Sequence, residues 1–159
     1  MSRSIAAALA VLGVLSMSAP AALAADALEY GRNITLNEAK AAANAAEAEA
    51  RKNGWAAVIT VVEPNGQTVL SWKMDGASYA APGVARRKAE TAAGFKRPTK
   101  AFQDAVKAGN LNALSNGALA IEGGELLIAD GRIVGAIGVS GATPEQDGII
   151  ARAGAAAVK

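Results

Sequence analysis

The chain has 159 residues, with 16 Lys and Arg against 14 Asp and Glu, and it contains no cysteine and no histidine. Those two absences exclude disulfides, thiolate metal sites, covalent haem attachment, cysteine nucleophiles and histidine-based triads. A net charge of +2 does not supply the broadly basic surface that a nucleic-acid partner requires, although a local basic patch stays open.

Arg3, the apolar run from Ile5 to Leu15 and the small-x-small sequence Ala22-Leu23-Ala24 read as a secretory signal over 1–24, cleaved after Ala24. The run is too short for a membrane span, which needs about 20 apolar residues. Residues 25–159 then form one domain, destined for the periplasm or the medium. Losing Arg3 leaves 15 basic residues against 14 acidic.

Asp26 to Asn33 reads as a loosely held arm. Thr35-Leu-Asn-Glu38 is a capping box that opens a helix from Leu36 to Asn53, stopped by Gly54. Ala39, Ala42, Ala43, Ala46 and Ala50 line one side of it, which permits close approach. Trp55 to Val62 is a nearly continuous apolar strand, and Pro64-Asn65-Gly66 turns it back into a second strand, Gln67 to Met74. Met74 shares a face with Leu70 and Trp72, which favours core packing.

A helical region follows from Gly83 to Phe95, is broken by Pro98 and resumes from Thr99 to Ala108. Arg86, Arg87, Lys88, Lys96, Arg97, Lys100 and Lys107 lie there against only Glu90 and Asp104, either as a solvated face or as a site for an anion. Thr99, after Pro98, reads as an N-cap. Leu111 to Asn116 is an irregular connector. Ala118 to Ile121, Glu125 to Ala129 and Arg132 to Ser140 read as three short strands joined at Gly123-Gly124 and Asp130-Gly131.

Gly135 and Gly138 weaken a strand, so a helix or a ligand should pack close to the backbone there. Thr143-Pro-Glu-Gln146 starts a last helix by a second capping box. Its free N–H groups, around Gly141, Thr143 and Gln146, are either satisfied by those caps or hold a carboxylate or phosphate. Short turns and segregated helices give an α+β fold: a five-stranded antiparallel sheet with helices packed on it.

Thr35-Leu-Asn-Glu-Ala-Lys40, Met74-Asp-Gly-Ala77, Arg87-Lys-Ala-Glu-Thr-Ala-Ala-Gly-Phe95 with Arg97-Pro-Thr99, and Gly135-Ala-Ile-Gly-Val-Ser-Gly141 with Thr143-Pro-Glu-Gln-Asp147 resemble the GlcG/HbpS-like family. The resemblance runs from Thr35 to Gly154. It implies a profilin-like α+β fold, a homo-oligomer and haem binding, and the family also includes a domain attached to corrinoid-handling enzymes. A membrane sensor or transporter as partner stays open.

Haem binding in some relatives uses histidine, so an iron ligand here has to be a hydroxyl, Met74, a Tyr or a Lys, or be absent. A secreted relative uses a threonine, and the matched motifs offer Thr91 and Thr99. Propionates would be neutralised by Arg86, Arg87, Lys96, Arg97 or Lys100. The expectation is a non-enzymatic, exported haem-binding protein. The alternative is a module for a small carboxylic acid or a corrinoid, the acid being held at Gly141, Thr143 and Gln146. An enzyme is disfavoured, because neither histidine nor cysteine is available and no carboxylate pair is evident.

Overall fold

The structure, a computed structural model, describes residues 28–159; the expected signal and its cleavage point lie outside the described residues. The elements run α1 (Leu36–Lys52), β1 (Val58–Val62), β2 (Thr68–Lys73), α2 (Ala81–Phe95), α3 (Thr99–Lys107), α4 (Asn112–Ser115), β3 (Gly124–Ala129), β4 (Arg132–Ser140) and α5 (Pro144–Ala155). The strands form one sheet in the order β2-β1-β4-β3, every neighbouring pair antiparallel. The α+β architecture is as expected, but the sheet has four strands rather than five.

Ala118 to Ile121 is not a strand, because its backbone donors are claimed by other groups. The N–H of Ala118 donates to Asn116 Oδ1, that of Leu119 to Thr91 Oγ1 and that of Ile121 to the Leu119 carbonyl. Three of the four donors are thus unavailable to a ladder. The connector before it contains one helical turn, α4, and α2 begins two residues earlier than Gly83 because Pro82 fits the first turn of a helix.

The inner strands β1 and β4 are buried on both faces, β4 from Ile133 to Ser140. On one face Ile59, Val61, Val134, Ile137 and Val139 pack with α1 and α5. On the other, Val58, Val62, Ile133 and Ala136 pack with the alanines of α2. The alanine side of α1 is consumed inside the chain: Ala39, Ala42, Ala43, Ala46 and Ala50 are fully buried. Gly154 of α5 lets the two helices touch, since a Cβ there would come within 2.9 Å of the Ala42 carbonyl.

Gly124 and Gly138 pair across β3 and β4, and together they form a notch for α2. A Cβ on Gly138 would meet the Ala89 nitrogen at 2.6 Å, and one on Gly124 would strike the Lys88 carbonyl. A helix therefore accounts for the close approach at Gly138. At Gly135 the neighbours are the Val62 carbonyl and Ile34.

The arm is docked rather than loose. Ile133 N–H donates to the Glu29 carbonyl, Gly31 N–H to the Ile133 carbonyl and Ile34 N–H to the Val134 carbonyl, each at 2.8 Å. The reason is that β1 pairs with β4 only from Ala136 to Ser140, so the earlier backbone groups of β4 are free on that side and the arm takes them.

Candidate functional site

The basic residues of α2 and α3 separate by the partners they find. Lys88, expected on a solvated face, is 1% exposed; its ammonium donates to Asp147 Oδ2 at 2.8 Å and to the Val139 carbonyl at 2.9 Å. Asp147 is buried too and accepts the Ala142 N–H through Oδ1 at 3.0 Å. Burial pushes the Lys88 pKa down and the Asp147 pKa up, while their mutual hydrogen bond opposes both shifts.

Arg86 pairs with Glu90 at 2.6 Å, Lys100 with Asp104 at 2.5 Å and Lys107 with Glu145 at 3.7 Å. Arg87, Lys96 and Arg97 form no ion pair among the described residues. Lys96 and Arg97 line an open surface pocket of about 480 Å³ together with Leu28, Phe95 and Ala101. That volume lies within the roughly 300–1,000 Å³ of small-molecule sites.

Two aromatics hold these cations in place. The Lys96 ammonium lies 4.4 Å from the centroid of the Tyr30 ring, and the Arg97 guanidinium 5.8 Å from that of Phe102. Phe102 in turn meets Phe95 edge to face at 5.1 Å. Lys96 has φ 54, the left-handed conformation that usually falls to glycine at a helix end and costs another residue about 1 kcal/mol.

The other candidates lie elsewhere. Thr91 and Thr99 are buried, and their hydroxyls accept the N–H groups of Leu119 at 3.1 Å and Gly124 at 2.8 Å. Thr99 is not an N-cap; Pro98 holds that position without a side-chain bond. With Gln103, which accepts the Glu122 N–H at 2.9 Å, these residues pin the segment 118–124 onto α2 and α3. Met74 packs against the core on the α1 and α5 face, beside grooves lined by Arg51, Trp55, Trp72 and Asp75. The structure does not bring it to Lys96 and Arg97.

At the start of α5 the caps are made as expected. Gln146 N–H donates to Thr143 Oγ1 at 3.3 Å and Thr143 N–H to Gln146 Oε1 at 3.1 Å. With Ala142 bound to Asp147, the donors between Gly141 and Gln146 are largely engaged by the chain itself.

Sequence reasoning missed the pair of Lys88 with Asp147, the buried Glu122 that Arg152 meets at 2.8 Å, and the stack of Tyr30 on Lys96. Lys88 carried a usable signal: it falls on the stripe of Ala81, Ala85 and Ala92 at helical spacing. The other two join residues far apart in the chain, and no local pattern announces them.

A family model described as haem degrading protein HbpS-like matches residues 34–156. An uncharacterized 15.0 kDa protein of the dhaT-dhaS intergenic region of Citrobacter freundii is 37% identical over 123 residues, 74% of this chain and 87% of that protein. Protein GlcG of Escherichia coli K12 is 36% identical over 97 residues, 60% of this chain and 72% of its own length. Among solved structures, a double mutant of Streptomyces reticuli HbpS superposes with TM-score 0.73 at 34% identity, covering 89% of this chain and 98% of that one. A PduOC:heme complex superposes with TM-score 0.72 at 27% identity, covering 80% and 96%.

Proposed function

This chain belongs to the HbpS-like family, and from that premise we propose that it binds haem without covalent attachment, in the cavity between the arm and the end of α2. One observation carries the choice of site: Lys96 and Arg97, two adjacent cations with no carboxylate partner among the described residues, line an open pocket otherwise walled by Leu28, Phe95 and Ala101. An amphiphilic dianion needs that combination, charge for its propionates and apolar contact for its ring. Relatives support the ligand, since the family description names haem and a similar domain was solved with heme.

The donor set fits the carboxylate edge of the group better than its iron. No histidine or cysteine exists in the chain, so only hydroxyl, phenol, thioether or amine donors are available. A high-spin or weakly ligated ferric spectrum follows. Bound haem would supply a redox-active iron; the chain's residues supply charge, an apolar wall and partial exclusion of water. With neither histidine nor cysteine to act as base or nucleophile, binding is favoured over catalysis by the chain's own side chains. The sequence of residues 1–24 supports export, and mass spectrometry of exported protein should find a terminus at or near Ala25.

The discriminating experiment compares two double variants by haemin titration at the Soret band. Lys96→Ala with Arg97→Ala should weaken binding about 5- to 30-fold, from the loss of two partly exposed charge-assisted contacts of about 0.5–1 kcal/mol each. Arg86→Ala with Lys100→Ala removes cations already paired with Glu90 and Asp104 and should leave affinity within about twofold. Equal losses from both pairs would reduce the site to bulk positive charge.

A further inference from the structure

We propose that Tyr30 is a positioning residue of this cavity, holding the Lys96 ammonium over its rim so that the site selects a dianion rather than any flat apolar molecule. The inference rests on the haem reading and deepens it. Tyr30 is fixed at both ends. Its backbone is gripped through Glu29 and Gly31, which exchange 2.8 Å hydrogen bonds with Ile133, and its phenol donates to the Ala93 carbonyl at 2.7 Å. The ring cannot swing away without breaking one of these anchors.

A lysine on a flexible four-carbon stem ordinarily sweeps a wide volume of solvent. Here the backbone of Lys96 is set in the left-handed conformation that ends α2, and the ammonium comes to rest 4.4 Å from the ring centroid. The nature of that contact matters. A carboxylate would hold the lysine and also cancel its charge, as Glu90 does for Arg86 and Asp104 for Lys100. An aromatic face attracts the cation through its quadrupole and leaves the full charge available to a ligand. The Arg97 guanidinium lies over Phe102 in the same manner at 5.8 Å, so two adjacent cations face aromatic rings and neither meets a carboxylate among the described residues. Leu28, from the same arm as Tyr30, supplies the apolar wall.

A double-mutant cycle on the full-length chain tests this, read with haemin and with haemin dimethyl ester, whose propionates carry no charge. Tyr30→Leu should weaken haemin about two- to fivefold, the worth of one exposed cation–π contact, and should add nothing in a Lys96→Met background. Neither variant should change binding of the ester, and Tyr30→Phe, which keeps the ring and its backbone anchors but loses the phenol bond to Ala93, should bind haemin more tightly than Tyr30→Leu and no more tightly than the parent. In the ligand-free protein with ¹³C-methylated lysines, Lys96 should show an upfield ring-current shift that Tyr30→Leu abolishes and Tyr30→Phe retains. Additive losses, or an equal loss for the ester, would make Tyr30 a purely structural residue and overturn the proposal. A Lys96 signal without the ring-current shift would overturn it as well. Failure of the parent to bind either porphyrin would overturn the haem reading and the dianion with it, whereas a parent that binds haemin and a Tyr30→Leu variant that binds it equally well would overturn only the role of Tyr30.

Discussion

Lys96 occupies the position at the end of α2 where glycine would be most comfortable, so the chain accepts a local cost to place a cation there. Lys96→Gly should therefore raise stability by up to about 1 kcal/mol in a denaturant titration while lowering haemin affinity. A variant both more stable and equally competent would show that the side chain has no binding role. Lys88 illustrates the opposite case. In sequence Arg86-Arg87-Lys88 reads as one charged run, and residue type alone does not tell which member faces the core; only its spacing from the alanines does. Lys88→Met leaves the buried Asp147 carboxylate without its cation and should cost about 3–5 kcal/mol, only part of it recovered by adding Asp147→Leu, which also removes the acceptor of the Ala142 N–H. The penalty of the single variant should shrink as pH falls, because an orphaned buried carboxylate sheds its desolvation cost by taking up a proton.

At the scale of elements, both capping boxes, the β1–β2 hairpin and the Asp130-Gly131 turn were legible, because each is written in four or fewer adjacent residues. The expected strand at Ala118–Ile121 and the loose arm were not, since each outcome depends on acceptors and donors far away: Thr91 for the first, the unpaired stretch of β4 for the second. The box that opens α1 gains a third member, Arg32, whose guanidinium donates to both oxygens of Glu38. That contact, first, and the Thr35 N–H and hydroxyl, second, lower the Glu38 pKa from 4.5 to about 2. A lowered carboxylate pKa means that the folded state binds fewer protons, so this contribution is present above pH 4.5 and fades as pH falls toward about 2. The site is near the surface, so the contribution is screened to about 1 kcal/mol or less. Glu38→Gln should flatten the pH dependence of the urea midpoint across that window, and an unchanged slope would contradict the assignment.

The described residues form a four-stranded sheet clad on both faces by helices, with the candidate haem site at the seam where the arm, the end of α2 and the start of α3 meet. The family motifs foretold the fold. The candidate site was only half legible, because the basic run names Lys96 and Arg97 along with Arg86, Lys100 and Lys107, which are paired. A homo-oligomer remains the expected assembly, but the alanine stripe of α1 is spent on α5 and the sheet, leaving exposed residues such as Leu36, Leu111 and Leu114 as the apolar surface on offer. Light scattering of residues 25–159 should give a multiple of the single-chain mass, and a single-chain mass at micromolar concentration would contradict it.

The central claim is that an unneutralised cation pair beside an apolar cavity binds haem, and an equilibrium titration of the unmodified protein with haemin at low and high salt tests it most directly. A saturable Soret shift with one haem per chain, weakening steadily as salt screens Lys96 and Arg97, is the predicted result. No Soret change, or binding indifferent to salt, would contradict it.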